Sequence, residues 1–191
     1  MKKQWYSNIS VYIKLIRVTS WPKNFFVFVP AVFSKHIFSL DYFLTVLLGF
    51  FTFSIASSAV YVFNDIIDAP KDKFHPLKKN RPIASGTISK FTATVISVIF
   101  FMILAAITLQ MSLYFSLIIW TYVIINIFYT TYLKEVVIVD IFCIASGFML
   151  RVIAGAFLIS VVISNWLILT TMFLSLFLAV MKRRVEIAIS V

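Results

Sequence analysis

Residues 42–63 read YFLTVLLGFFTFSIASSAVYVF, a run without one charged residue, and residues 64–72 continue it as NDIIDAPKD. An α-helix rises 1.5 Å per residue, so about 20 apolar residues cross a hydrocarbon core roughly 30 Å thick. The run therefore predicts a membrane-spanning helix that ends abruptly in carboxylates. Working outward, similar apolar runs cover about 22–38, 91–110, 113–133, 137–160 and 165–181. The expected fold class is all-α: a polytopic membrane helical bundle of about six transmembrane helices, built as one domain over residues 1–191. The run at 22–38 is short and holds Pro30, which predicts a tilt or kink. Before it, Ile13, Leu15 and Ile16 accompany Lys14 and Arg17, the pattern of a helix lying along the interface with Trp21 at headgroup depth.

Composition supports this reading. Hydrophobic residues make up 62% of the chain and charged residues 13%, whereas soluble domains are roughly half apolar and about a quarter charged. A water-soluble packing is excluded. The single cysteine, Cys143, lies in an apolar run, which excludes a disulfide framework and a cysteine-based metal cluster. The N-terminus carries Lys2 and Lys3 but continues into polar residues, without the apolar core and cleavage site of a signal peptide.

Cations set the topology. With the N-terminus inside, the inner set comprises Lys2, Lys3, Lys14, Arg17, Lys23, Lys71, Lys73, Lys78, Lys79, Arg81, Lys90, Lys134, Lys182, Arg183 and Arg184. Lys35 lies on the other side and Arg151 within a span. This positive-inside bias predicts a multi-pass protein of the plasma membrane with its N-terminus and active face in the cytoplasm. The partners it implies are lipids rather than nucleic acid.

Topology does not explain the aspartates of loop 64–90, since acidic residues contribute little to orientation. On a helix continuing to Pro70, Asn64 and Asp68 are four residues apart and Asp65 and Asp68 three, which puts them on one side. Asp72 is expected just past the proline, folding back to the same point. Gathered carboxylates repel one another unless a cation joins them. Hard oxygen ligands with room for water suit Mg2+ holding substrate phosphates. Downstream, His75-Pro76-Leu77-Lys78-Lys79-Asn80-Arg81-Pro82 and Gly86 predict a shaped, basic loop. Arg81 can grip a phosphate through two donors, and Lys78 acts as a point charge. His75 is read as structural or phosphate-contacting, with general base as the lesser alternative.

Arg151 is the exception inside the membrane. An ionisable residue there faces a bundle interior or cavity, and Asp140, eleven residues earlier on the same helical face, lies about 16 Å away. A bound phosphate or a carboxylate from another helix is the expected partner.

Taken together, Asn64-Asp65-x-x-Asp68-x-x-x-Asp72 followed by Arg81-Pro82 resembles the first aspartate-rich motif of the UbiA superfamily of membrane prenyltransferases. The finer pattern His75-Pro76-x-Lys78-x-x-Arg81-Pro82-Ile83-Ala84-Ser85-Gly86 is similar to the decaprenyl-phosphate phosphoribosyltransferase branch. Ser20-Trp21-Pro22-Lys23-Asn24 and Gly147-Phe148-x-Leu150-Arg151-x-x-Ala154-Gly155 support it. The resemblance implies a larger bundle whose last three helices this chain lacks, so the chain reads as C-terminally truncated. It implies that Asp65, Asp68 and Asp72 are catalytic and, with Asn64, hold Mg2+. It also implies that Lys23, Asn24, His75, Lys78, Arg81, Tyr129, Lys134, Asp140 and Arg151 bind substrate. Prenyl-diphosphate enzymes of the family carry a second acidic motif after the sixth span, where this chain has Lys182-Arg183-Arg184-Val185-Glu186. Direct contact of Lys182, Arg183 and Glu186 with the donor would replace it.

The function implied is transfer of 5-phosphoribose from phosphoribosyl pyrophosphate to a polyprenyl (decaprenyl) phosphate, a step of cell-envelope biosynthesis. The alternatives are prenyl transfer from a prenyl diphosphate to an aromatic acceptor, and a catalytically incompetent truncated subunit. A transporter is disfavoured by the nearly featureless outer half.

Overall fold

The computed structural model describes residues 2–133 and 137–190. The side chains of residues 1–8, 133–137, 182, 183 and 185–191 lie outside the described set. The described secondary structure is helical. In order, α1 spans Lys2–Leu15, a 3-10 helix Val18–Phe28, α2 Val29–Phe33, and a 3-10 turn His36–Phe38. Then come α3 (Leu40–Asp72), a 3-10 turn at Lys78–Asn80, α4 (Lys90–Thr108) and α5 (Leu113–Phe128). A π-helical turn at Tyr129–Leu133, α6 (Val137–Leu158) and α7 (Asn165–Ser190) complete the chain.

Among the described residues, four helices are long and apolar enough to cross a membrane: Leu40–Asp72, Lys90–Thr108, Leu113–Tyr132 and Ile138–Leu158. Four of the expected spans are thus found among the described residues. In α7 the apolar part, Asn165–Met181, is shorter. The run at 22–38 is not one helix at all. Pro22 and Pro30 each remove a backbone donor, and Lys35 adopts a left-handed conformation with φ 62°. Hydropathy registers the side chains of this run but not its broken backbone.

The chain divides into two compact units, Met1–Pro22 with Ser54–Gln110, and Lys23–Phe53 with Met111–Val191. In the first, small residues on α3 allow close approach. Ser97 of α4 donates to the Ala59 carbonyl, and Ser58 donates to the Ile16 carbonyl while accepting from the Trp21 indole N–H. The Trp21 nitrogen is thereby occupied within the protein. Leu15, Val62, Ala69, Ile83, Ile88 and Ala93 form an apolar cluster. It pins the loop between α3 and α4 by its two isoleucines. Ser89 caps α4 by accepting from the Thr92 N–H at 3.0 Å.

In the second unit α5, α6 and α7 pack in sequence, and α2 lies on α6. Gly155 of α6 makes that approach possible, because a Cβ there would collide with the Val27 carbonyl and reach to 3.3 Å of Pro30 Cδ. Ser112 caps α5 through the Phe115 N–H. Two apolar cavities, of about 450 and 580 Å³, open beside the α6–α7 connection and share Val161, Val162 and Ile163. Neither is lined by a residue of the acidic motif.

Candidate functional site

The acidic motif closes α3. At 33 residues this helix is about 50 Å long, well beyond the hydrocarbon thickness, so its last turns project past the apolar layer. The helix runs through Pro70 to Asp72. The expectation that Asp72 folds back after the proline is therefore corrected: Pro70 lies in the final turns, where losing one backbone donor does not end the helix. Asp65, Asp68 and Asp72, spaced by three and four, lie along one helical face.

Arginines occupy two of these carboxylates. Asp65 is 2% exposed and Asp72 5%. Arg17 Nη2 pairs with Asp65 Oδ1, while Arg81 Nη1 donates to Asp72 Oδ2 at 2.7 Å and lies 3.1 Å from Asp65 Oδ1. Arg81 thus bridges two turns of α3. Arg17 reaches the same point from the junction after α1. Its φ is 52°, unusual for a residue with a β-carbon, and its guanidinium sits 4.9 Å from the centre of the Tyr61 ring.

The loop that follows is as shaped as its prolines predict. His75 Nδ1 accepts the N–H groups of Leu77 at 3.2 Å and Lys78 at 3.3 Å. Gly86, at φ 77°, turns the chain before the Ile88 N–H reaches the Pro82 carbonyl at 2.9 Å. Lys78 is half-buried on this frame.

In the second unit, Arg151 is 4% exposed, and the partners described for it are uncharged. Its Nε donates to Asn24 Oδ1 at 2.8 Å, Nη1 to the Gly147 carbonyl at 2.6 Å, and Nη2 to the Tyr122 hydroxyl at 3.3 Å. The rings of Tyr122, Phe53 and Phe148 surround the guanidinium at 4.8, 5.5 and 5.9 Å. The protein thus surrounds this guanidinium with neutral oxygens and aromatic faces. Asn24, fully buried, is committed to Arg151, whereas its neighbour Lys23 is exposed. Asp140 is buried and accepts from the Tyr129 hydroxyl at 2.7 Å, across the π-helical turn. Lys134, and the side chains of Lys182, Arg183 and Glu186, lie outside the described residues.

The Arg151–Asn24 tie makes a testable prediction. Arg151→Met removes the buried charge and the N–H that Asn24 Oδ1 accepts, a cost of about 1–3 kcal/mol. Melting in detergent should fall by several degrees, and Asn24→Leu in the same chain should restore much of it. Additive losses in the double variant would disprove the tie.

Sequence reasoning missed Arg17, which it counted only towards topology, and also Tyr61, Tyr122 and Phe53. The i, i+4 spacing of Tyr61 and Asp65 was the one available signal.

The residues fit a divalent cation in a particular way. All donors of the motif are hard oxygens. Asn64 Oδ1 is buried with no hydrogen-bond partner, a position a ligand would satisfy. Asp68 lies one turn on, half-buried. Yet among the described residues no three acidic, histidine or cysteine side chains converge into a cage. The arrangement suits a magnesium ion that brings its own phosphate oxygens and water.

Comparison with known proteins gives the family. Residues 25–185 match the model of the UbiA prenyltransferase family. A decaprenyl-phosphate phosphoribosyltransferase of Mycolicibacterium smegmatis is 30% identical over 186 residues, covering 95% of this chain and 58% of that protein. One from Corynebacterium glutamicum is 32% identical, covering 92% of this chain and 54% of that protein. The chain thus spans between half and two-thirds of the length of these relatives. Among solved structures, a UbiA homolog from Archaeoglobus fulgidus bound to GPP and Mg2+ superimposes with a TM-score of 0.70. It is 21% identical, and the match covers 87% of this chain and 60% of that one. With its family match, helical fold and apolar spans, this chain is a multi-pass membrane protein that belongs to the UbiA prenyltransferase family.

Proposed function

We propose that this chain carries the donor site of a Mg2+-dependent membrane transferase that moves 5-phosphoribose from phosphoribosyl pyrophosphate to a polyprenyl phosphate. The observation that carries the reading is one helix end where Asn64, Asp65, Asp68 and Asp72 meet Arg81 and a rigid basic loop. Relatives named decaprenyl-phosphate phosphoribosyltransferase support the donor, as does the basic Lys182-Arg183-Arg184 where a second acidic cluster would otherwise stand. The solved homolog bound to GPP and Mg2+ favours prenyl transfer as the second reading. The lysine and arginine distribution supports a plasma-membrane protein with this site on the cytoplasmic side.

In the proposed reaction Asn64, Asp65, Asp68 and Asp72 would hold the magnesium. Arg81 and Lys78 hold phosphate oxygens of the donor. When bound, magnesium supplies charge neutralisation for the departing diphosphate. The bond from the anomeric carbon to the diphosphate oxygen breaks, and a bond to the lipid phosphate oxygen forms. That nucleophile is already anionic, so no side chain has to remove a proton. Alignment of the two oxygens about the carbon is the remaining contribution.

Membranes carrying the protein are incubated with polyprenyl phosphate and either labelled phosphoribosyl pyrophosphate or labelled prenyl diphosphate. Label from the first donor should enter the lipid fraction as a phosphoribosyl product. Incorporation only from prenyl diphosphate onto an aromatic acceptor would transfer the assignment to the second reading.

A further inference from the structure

The two arginines at the acidic motif stand where positive charge is needed, and they come from different parts of the chain. Asp65 and Asp72 face Arg81 together, and Arg17 completes Asp65 from the far side. Two carboxylates are thus matched by two guanidiniums in a place where Asp65 is almost sealed from water. A divalent cation taking Asp65 and Asp72 alone would leave both guanidiniums without their carboxylates. A diphosphate entering alone would meet the carboxylates. Entering together they balance, because the phosphate oxygens receive the guanidiniums that the cation displaces. Arg17 is placed for such an exchange: its left-handed backbone aims it at Asp65, and the Tyr61 ring lies beside its guanidinium. It also retains partial exposure, 22% of the side chain against 2% for Asp65.

We infer that Arg17 and Arg81 occupy Asp65 and Asp72 in place of a divalent cation, so that the site admits cation and diphosphate only as a pair, with Arg17 passing from carboxylate to phosphate. This rests on the reading of the motif as a diphosphate site. Arg17 is then a donor-binding residue on an element separate from the acidic helix. The pairing would also protect the resting site from being filled by free metal.

The test uses the purified chain in detergent, with Mn2+ as a spin-active probe and inorganic pyrophosphate as the diphosphate. Saturating pyrophosphate should tighten Mn2+ binding in the wild type by about tenfold or more. Arg17→Ala should tighten binding of Mn2+ alone by several-fold, because Asp65 loses a competitor, and should remove most of the gain from pyrophosphate. Arg17→Lys, which keeps the charge without the planar fork, should fall between. Wild-type Mn2+ binding that is equally tight with and without pyrophosphate overturns the inference, whatever the variants do. So does an Arg17→Ala protein that binds Mn2+ as the wild type does under both conditions, which would make the ion pair purely structural. No Mn2+ binding by the wild type even with pyrophosphate would overturn the diphosphate reading itself, and the inference with it.

Discussion

Asp68→Asn should lower the proposed phosphoribosyl transfer by about a thousandfold, equivalent to roughly 4 kcal/mol of lost transition-state stabilisation. The substitution is isosteric and removes one hard anionic oxygen beside Asn64, whose own Oδ1 is buried without a partner. The size follows from the demands of the proposed step, because a departing diphosphate would place its charge where a magnesium held by this residue would stand. Stability should respond far less. Asp68 lies in the last turns of α3, where the helix dipole disfavours negative charge by about 0.3–1 kcal/mol. Removing its charge should therefore shift the melting temperature by no more than a few degrees. An Asp68→Asn protein with wild-type transfer would remove the magnesium assignment. One that loses activity by failing to insert would leave only a structural role for the residue.

Gly155→Ala should produce the largest loss of stability of any single methyl added to this chain's glycines. The new Cβ would lie 2.9 Å from the Val27 carbonyl carbon and closer still to its oxygen. Backbone cannot rotate away as a side chain can, so the segment containing Val27 and Pro30 has to lift from α6. Overpacking of this kind costs about 1–3 kcal/mol, and more when the backbone must move. The apparent melting temperature in detergent should fall by roughly 5–10 °C, at a few degrees per kcal/mol for a chain of this size. Gly49→Ala is the control, since the atom in its way is the methyl end of Leu158, a flexible side chain. Equal melting of the two variants would contradict the packing described for α2 on α6.

Much of the fold was legible because hydrophobic runs of bilayer length leave few choices, and α3, α4, α5 and α6 coincide with such runs. The run at 22–38 misled for a physical reason. Its side chains are as apolar as those of a span, but two prolines and a left-handed lysine deny it a continuous ladder of hydrogen bonds. The acidic motif was legible from spacing alone, apart from the position of Asp72. The role of Arg17 was not, since it depends on a contact across 48 positions of sequence. Nor was the setting of Arg151. With 21 phenylalanines in the chain, no spacing singles out Phe53 and Phe148 as the rings that face it. A buried arginine suggested an anion, and no spacing foretold the neutral oxygens and π-faces that the fold sets around it.

The turn at His75 carries a consequence for the direction in which protons can move. Its Nδ1 accepts two backbone N–H groups, so that nitrogen presents a lone pair and the neutral ring carries its hydrogen on Nε2. In this tautomer the remaining nitrogen is a donor. Towards any group that approaches Nε2, His75 in this tautomer offers a hydrogen bond and accepts none.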